Sequence, residues 1–264
     1  MLNLLVQWDF SSTLRFRRVG KPPTLPYPAI PFVVPLRGSA KSRGMSNCRG
    51  FHRWHHRVHD AEQHVVFPDG CRDVLILRGP EGTRDVVLTE FDFGPRPAKL
   101  RPGTEIVGYR LRPGADVSRR VVEAVAANPD LVETILGEAC GGWNDLDDAI
   151  AALTLPGATV AAVSRDLGVS IRTMQRHFLS RSLPPPDFWR LLARARQAAR
   201  LLDVASPLAE IAVECGFSDQ AHMTRDFMRW FGLTPAQVRG SAPLLNVLSQ
   251  PALGNWTGEQ ISTR

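Results

Sequence analysis

The stretch PLAEIAVECGFSDQAHMTRDFMRWFG, residues 207–232, decides the fold. Its first part has the spacing of a short helix and stops at Gly216, where a residue free to take positive φ closes a helix well. Its second part, from Ser218 to Gly232, is a longer helix by the same periodicity. Met223, Phe227, Trp230 and Phe231 fall on one side, which has to pack against Ile211 and Val213 of the preceding helix or their neighbours. Ala221, Arg225 and Arg229 point the opposite way, with His222 at the flank and Gln220 in the first turn. Arginines on one amphipathic helix are by themselves more often a solvated face than a contact. A helix anchored by apolar residues and showing Arg, Gln and His outward is nevertheless the layout that reads base edges in a major groove.

The scheme occurs twice. ATVAAVSRDLG, residues 158–168, puts Val160, Val163 and Leu167 on one face and ends at Gly168; VSIRTMQRHFL follows, capped by Ser170, with Ile171, Met174 and Phe178 in one stripe. Arg172 and Arg176 project opposite that stripe with Gln175 beside them, and Arg176 and Arg172 correspond to Arg225 and Ala221 of the second unit. Between the units, PPDFWRLLARARQAARLL reads as one long helix begun by prolines, whose missing N–H costs nothing in a first turn. Residues 156–240 are therefore an all-α double helix-turn-helix.

These residues resemble the DNA-binding domain of the AraC/XylS family of bacterial transcription regulators. AVECGFSDQAHMTRDFMRWFGLTPAQVR, residues 212–239, is similar to the family's second unit. The resemblance places base-reading positions on Arg172, Gln175 and Arg176 in the first helix and on Gln220, Ala221, His222 and Arg225 in the second; Arg229 joins them by its outward place. Gly216, Phe217, Phe227, Gly232 and Pro235 fall on the family's structural positions. Ala221 has no hydrogen-bonding group, so it can meet only a thymine methyl. One departure is SRSLPPP, residues 180–186, where the family usually has a glycine before Ser-Pro, and a different geometry is expected for that helix exit.

Upstream, HVVFPDGCRDVLILRG, residues 64–79, is two β-rich runs around Pro68-Asp69-Gly70 and predicts a hairpin. RDVVLTEFDF and EIVGYRLRPG add strand-like runs, so residues 61–115 read as a small antiparallel β unit. Helical spacing follows, with Val117, Val121 and Val125, then Leu131 and Ile135, on successive helices broken near Pro129. The Pro-Asp-Gly-Cys turn and the Arg-Pro-Gly strand end are similar to an AraC-type subgroup with a cupin-like N-terminal region, which implies a sensor for an unidentified small-molecule effector or another chain. The fold class expected is α+β: a small antiparallel β (cupin-like) domain with helices at 45–155, followed by the double helix-turn-helix domain at 156–240. Residues 1–44, proline-rich and basic, read as a disordered arm, with Met45 an alternative first residue; residues 241–264 read as a disordered tail.

Charge agrees with this division. Residues 1–60, 61–155 and 156–264 carry +8, −6 and +4, which suits a polyanion for one part and a separate task for another. Cys48, Cys71, Cys140 and Cys215 lie far apart with no C-x-x-C pair and read as reduced thiols of a cytoplasmic protein; no stretch approaches membrane-span length. His52, His55, His56 and His59 have the i, i+3, i+4, i+7 spacing that on a helix could ligate a metal, the sole support for a rival reading as a cupin-like metal-binding enzyme. No catalytic motif, cofactor or metal ligand set is otherwise recognisable, so no enzyme is expected. A third reading is a regulator that has lost sequence-specific binding and works through protein contacts. The partners expected are double-stranded DNA, with RNA polymerase and an effector open, no membrane, and a monomer or homodimer.

Overall fold

A computed structural model describes residues 50–59 and 63–249. The expected N-terminal arm and residues 250–264 of the expected tail lie outside that range. The fold is α+β: six antiparallel strands in two sheets with three helices, then seven helices with no strand between them.

Strands β1 (Phe51–Arg57), β6 (Glu105–Leu111), β3 (Asp73–Arg78) and β4 (Arg84–Leu88) form one sheet in that order, and β2 (Gln63–Val66) pairs with β5 (Arg96–Lys99) in a second. Alternation along β3 sorts side chains between two cores. Val74 and Ile76 join Phe51, Tyr109 and Leu111 of the sheet and Val125, Val132 and Leu136 of the helices α1 (Arg119–Ala127) and α2 (Val132–Ala139). Leu75 and Leu77 face the other way, with Val58, Ile106 and Trp54. Gly108 stands opposite Trp54 in the register, and a Cβ there would collide with the indole, so this glycine makes room for the ring.

Three expectations for this region need correction. The predicted hairpin at Pro68-Asp69-Gly70 does not form, because β2 and β3 belong to different sheets; the turn instead hands the chain from one to the other. Asp69 holds that corner by accepting from the Cys71 amide at 2.9 Å and pairing with Arg110 at 2.8 Å, and Gly70 takes φ 76°. The real hairpin joins β3 to β4 through Gly79 and Gly82. Second, His52, His55 and His56 lie on β1, so the helical spacing that would gather them does not exist: His52 and His56 share one face of the strand and His55 takes the other. Third, Leu131 is exposed, because it belongs to a 3₁₀ turn at Pro129–Leu131 that precedes α2; Val132 and Leu136 are the buried positions of that helix, with Ile135 partly buried against the same core.

After α3 (Asp145–Leu153) come α4 (Val160–Asp166), α5 (Ile171–Ser180), α6 (Pro186–Leu201), α7 (Leu208–Glu214), α8 (Gln220–Phe231) and α9 (Pro235–Arg239). Helix α6 is the axis: Phe188, Trp189 and Leu192 are buried along it, and Ala193, Ala195, Ala198 and Ala199 let neighbouring helices approach closely. α4 and α7 end alike. Gly168 and Gly216 take φ 68° and 74°, and the residues after them donate back to Ser164 and Ala212, the six-to-one closure that turns the chain toward the next helix.

The exit of α5 corrects the expectation of a different geometry. Ser182 takes φ 53°, Leu183 donates to the Phe178 carbonyl at 2.9 Å, and Ser182 donates to that of Leu179 at 3.0 Å. A serine thus adopts the left-handed turn that glycine makes without strain, held by burial of Leu183 beside Phe178. The first residues of the expected tail are helical: α10 (Ala242–Leu248) caps on Ser241 and buries Leu244 and Leu248 against its neighbours. Its composition is polar only as an average over residues 241–264, which hides two leucines one turn apart.

Candidate nucleic-acid interface

Each candidate reading helix is set by a cap and an apolar underside. On α5, Ser170 accepts from the Thr173 amide at 3.0 Å, and Met174 and Phe178 are buried. On α8 the cap is Asp219, accepting from His222 N–H at 2.6 Å; that bond holds the Asp219 carboxyl below the usual carboxylate range. Met223, Phe227, Trp230 and Phe231 are fully buried beneath α8. Their partners on α7 are Ile211 and Ala212; Val213, offered as a partner by sequence, is exposed because it lies on the outer side of a helix only seven residues long.

With the undersides so fixed, Arg172, Gln175 and Arg176 are exposed on α5, and Gln220, Ala221, Arg225 and Arg229 are exposed on α8. At about 100° per residue, Arg225 stands almost opposite the mean direction of the buried side chains, with Ala221 and Arg229 about 40° to either side. Arg176 holds the same station on α5, with Arg172 beside it. The guanidinium of Arg229 lies over the Trp230 ring, 4.9 Å from its centroid, so it is partly engaged by its own helix.

His222 departs from the rest. Its ring is half-buried, edge-on to Phe217 at 5.3 Å, with Ser218 Oγ 3.1 Å from Nδ1 and Arg194 Nη2 3.3 Å from Nε2. Both ring nitrogens are therefore occupied inside the protein, which corrects the expectation that the side chain faces outward. Arg194, on α6, was not recognised from sequence. Its guanidinium donates to Asp226 at 2.7 Å and to the Gly216 carbonyl at 3.4 Å, and lies over the Phe217 ring 4.4 Å from its centroid. One side chain of the connecting helix thus grips both the turn and the first two turns of α8. The signal was invisible because an arginine on α6 looks like any other until α8 is laid across it.

The β region leans on the same helices. Phe91 sits edge-on to Phe188 and Trp189 of α6, at 6.1 and 5.6 Å, while Arg72 covers it from the other side at 5.0 Å. Phe93 packs on Phe188 at 4.9 Å, Phe67 meets Phe231 of α8 at 6.3 Å, and Asp116 pairs with Arg181 just beyond α5 at 3.1 Å. The ion pair is solvent-exposed and adds little; the aromatic contacts carry the seam. Near it, Arg110 pairs with Asp69 at 2.8 Å and lies 3.6 Å from Asp73, and Trp54 donates to Asp73 at 2.8 Å. Burial opposes the charge on Arg110, but the two carboxylates outweigh it and hold its pKa above the ordinary range.

Among the described residues no group of three His, Cys, Asp or Glu side chains is placed to hold a metal ion, and no helix is long and apolar enough to cross a membrane. Burial pushes the Cys215 and Cys140 thiols up to about 11 and Cys71 well above the usual range.

The family match falls on the helical half. Residues 163–241 match a family described as a helix-turn-helix domain. Over 78 residues the chain is 36% identical to the HTH-type transcriptional regulator VirS of Mycobacterium tuberculosis, covering 30% of this chain and 23% of that protein. Over 86 residues it is 31% identical to the virulence regulon transcriptional activator VirF of Yersinia enterocolitica, covering 32% of each. The matches thus span about a quarter to a third of those relatives. Among solved structures, ToxT from Vibrio cholerae aligns over 72% of this chain and 98% of its own at 8% identity, with a TM-score of 0.39.

Proposed function

We propose that this chain is a sequence-specific, DNA-binding transcription regulator of the AraC/XylS type, with α5 and α8 entering successive major grooves on one face of the duplex. The observation that carries the reading is the pair of helices in the matched helix-turn-helix segment, each with a buried underside and an arginine at the centre of its outward face. Arg172, Gln175 and Arg176 read one half-site; Gln220, Ala221 and Arg225 read the other, and Arg229 contacts bases or phosphate at its edge. His222 acts from within, orienting the first turn of α8. Arginines and helix N-termini set the register on phosphates, and the outward side chains discriminate sequence. Residues 45–155 form the sensor domain of the Pro-Asp-Gly-Cys subgroup, and residues 156–240 the DNA-binding domain. An effector or partner chain held by the sensor acts on α6 and α8 through the Phe91, Phe93 and Phe67 seam. The protein works in the cytoplasm, as a monomer or homodimer, with RNA polymerase the natural recipient of its signal.

Selection of bound duplexes from a random-sequence library, followed by titration at fixed salt, tests this. A preferred site should emerge, and Arg225→Ala should weaken it by about 1–3 kcal/mol while leaving random DNA nearly unchanged. Absence of any enriched sequence at physiological salt would overturn the assignment, and equal weakening on both duplexes would make Arg225 a phosphate contact.

A further inference from the structure

The outward faces of α5 and α8 each carry an apolar side chain that stands outside the buried core. Leu179 is 76% exposed and Met228 36%, although each helix already seats its apolar side with buried Met174 and Phe178, or Met223 and Phe227. Met174, Arg176 and Phe178 recur 49 residues later as Met223, Arg225 and Phe227, and by that offset Leu179 and Met228 are one position. Both lie about 60° from the central arginine and about 20° from Arg172 or Ala221, well inside the outward face. Residues 172, 175, 176 and 179 stand at i, i+3, i+4 and i+7, as do 221, 224, 225 and 228. That is the set with which one helix lying along a major groove meets successive base edges, as in homeodomains. A lone exposed leucine is ordinary. The same apolar position in both units, in the middle of an arginine face, is not explained that way.

We propose that Leu179 and Met228 are specificity residues that contact the C5-methyl groups of thymines, each one helical turn beyond the reading arginine of its helix. This rests on the regulator reading above and sharpens it. The thymine methyl is the one apolar group on the major-groove edge, and only an apolar side chain gains by covering it. The two helices then differ in what they select. Along α5 the stripe is Arg172, Gln175, Arg176 and Leu179, suited to purine acceptors with one thymine. Along α8 it is Ala221, Thr224, Arg225 and Met228, and Thr224 already donates its hydroxyl to the Gln220 carbonyl at 2.9 Å. The α8 half-site is accordingly the richer in thymine, with a single guanine contact.

The test uses the full chain and the duplexes it selects from a random library, with each thymine replaced in turn by deoxyuridine, which removes only the methyl. One thymine in the α5 half-site, and one in the α8 half-site beyond any that Ala221 covers, should show a loss of about three- to fourfold, the value expected for one buried methyl. Met228→Ala should abolish that sensitivity in the α8 half alone, Leu179→Ala in the α5 half alone, and the exchanges Met228→Leu and Leu179→Met should preserve it. Both sites are solvent-facing, and thermal melting would verify that the variants stay folded. If every deoxyuridine duplex binds as the parent does while guanine replacements still weaken binding, the proposal falls and the regulator reading stands. Methyl sensitivity that persists in both alanine variants would also overturn it, by assigning the contact to another side chain. So would unchanged DNA affinity with loss of self-association in either variant, which would make these residues a protein contact. No enriched sequence at all would sink the regulator reading and this inference together.

Discussion

Replacing Arg196 with methionine should stabilise the protein. Arg196 is 6% exposed on α6; its Nη1 donates to the Leu248 carbonyl at 3.1 Å, and its buried Nε has no hydrogen-bond partner. No carboxylate pairs with it directly among the described residues, and Asp69 acts on it only across space. Burial pulls its pKa down to about 10, more than Asp69 restores. That drop corresponds to roughly 3 kcal/mol against the charged form at neutral pH. Methionine fills the same channel without charge and forfeits one hydrogen bond, about 1 kcal/mol, so a net gain of roughly 1–2 kcal/mol is expected. The guanidinium is charged in the folded and the unfolded chain alike, so its burial costs the same at every pH in the neutral range. The gap between Arg196→Met and wild type should therefore hold constant between about pH 6 and 9. Urea unfolding followed by fluorescence of the buried Trp189 and Trp230 measures it. A variant less stable by about 1 kcal/mol or more would refute the reasoning, because Arg196 would then be well paired in the fold.

Arg194 gives the opposite expectation. Arg194→Ala should cost about 1.5–3 kcal/mol and weaken cognate DNA more than random DNA, and a double-mutant cycle with Asp226→Ala should show coupling of at least about 1 kcal/mol; additivity would refute the grip on α8. Phe91→Ala should remove the β region's hold on Phe188 and Trp189, costing about 2 kcal/mol and splitting one thermal transition into two; a single sharp transition, merely shifted, would count against the seam. With Cys48 replaced by serine, the native protein should resist thiol labelling at pH 8, since Cys140 and Cys215 hold their protons up to about 11 and burial raises the Cys71 thiol well above its usual range too. Rapid labelling of any of the three before unfolding would show that burial is not what protects them.

The helical half was legible in sequence because its signals are local. Apolar spacing of 3.6, a capping Ser or Asp and a closing glycine all act within one or two turns, so α4 to α8 and the buried Met174, Phe178, Met223 and Phe227 could be read from the chain. The exposure of Arg172, Gln175, Arg176 and Arg225 follows from the same periodicity, since burying one side of a helix leaves the other to solvent. Strand pairing is not local. The runs around Pro68-Asp69-Gly70 carry no record of whether they face each other or two different sheets; partners about thirty residues away decide it, β5 for the first run and β6 for the second, with Arg110 of β6 pairing with Asp69 at the corner. The four-histidine spacing failed for a related reason: which residues share a face depends on whether the segment coils or extends, and pairing with β6 made it extend. The inward turn of His222, the fork of Arg194 and the unpaired burial of Arg196 belong to the same class. Each is decided by what another helix lays beside it, and no periodicity along one segment contains the geometry of a crossing.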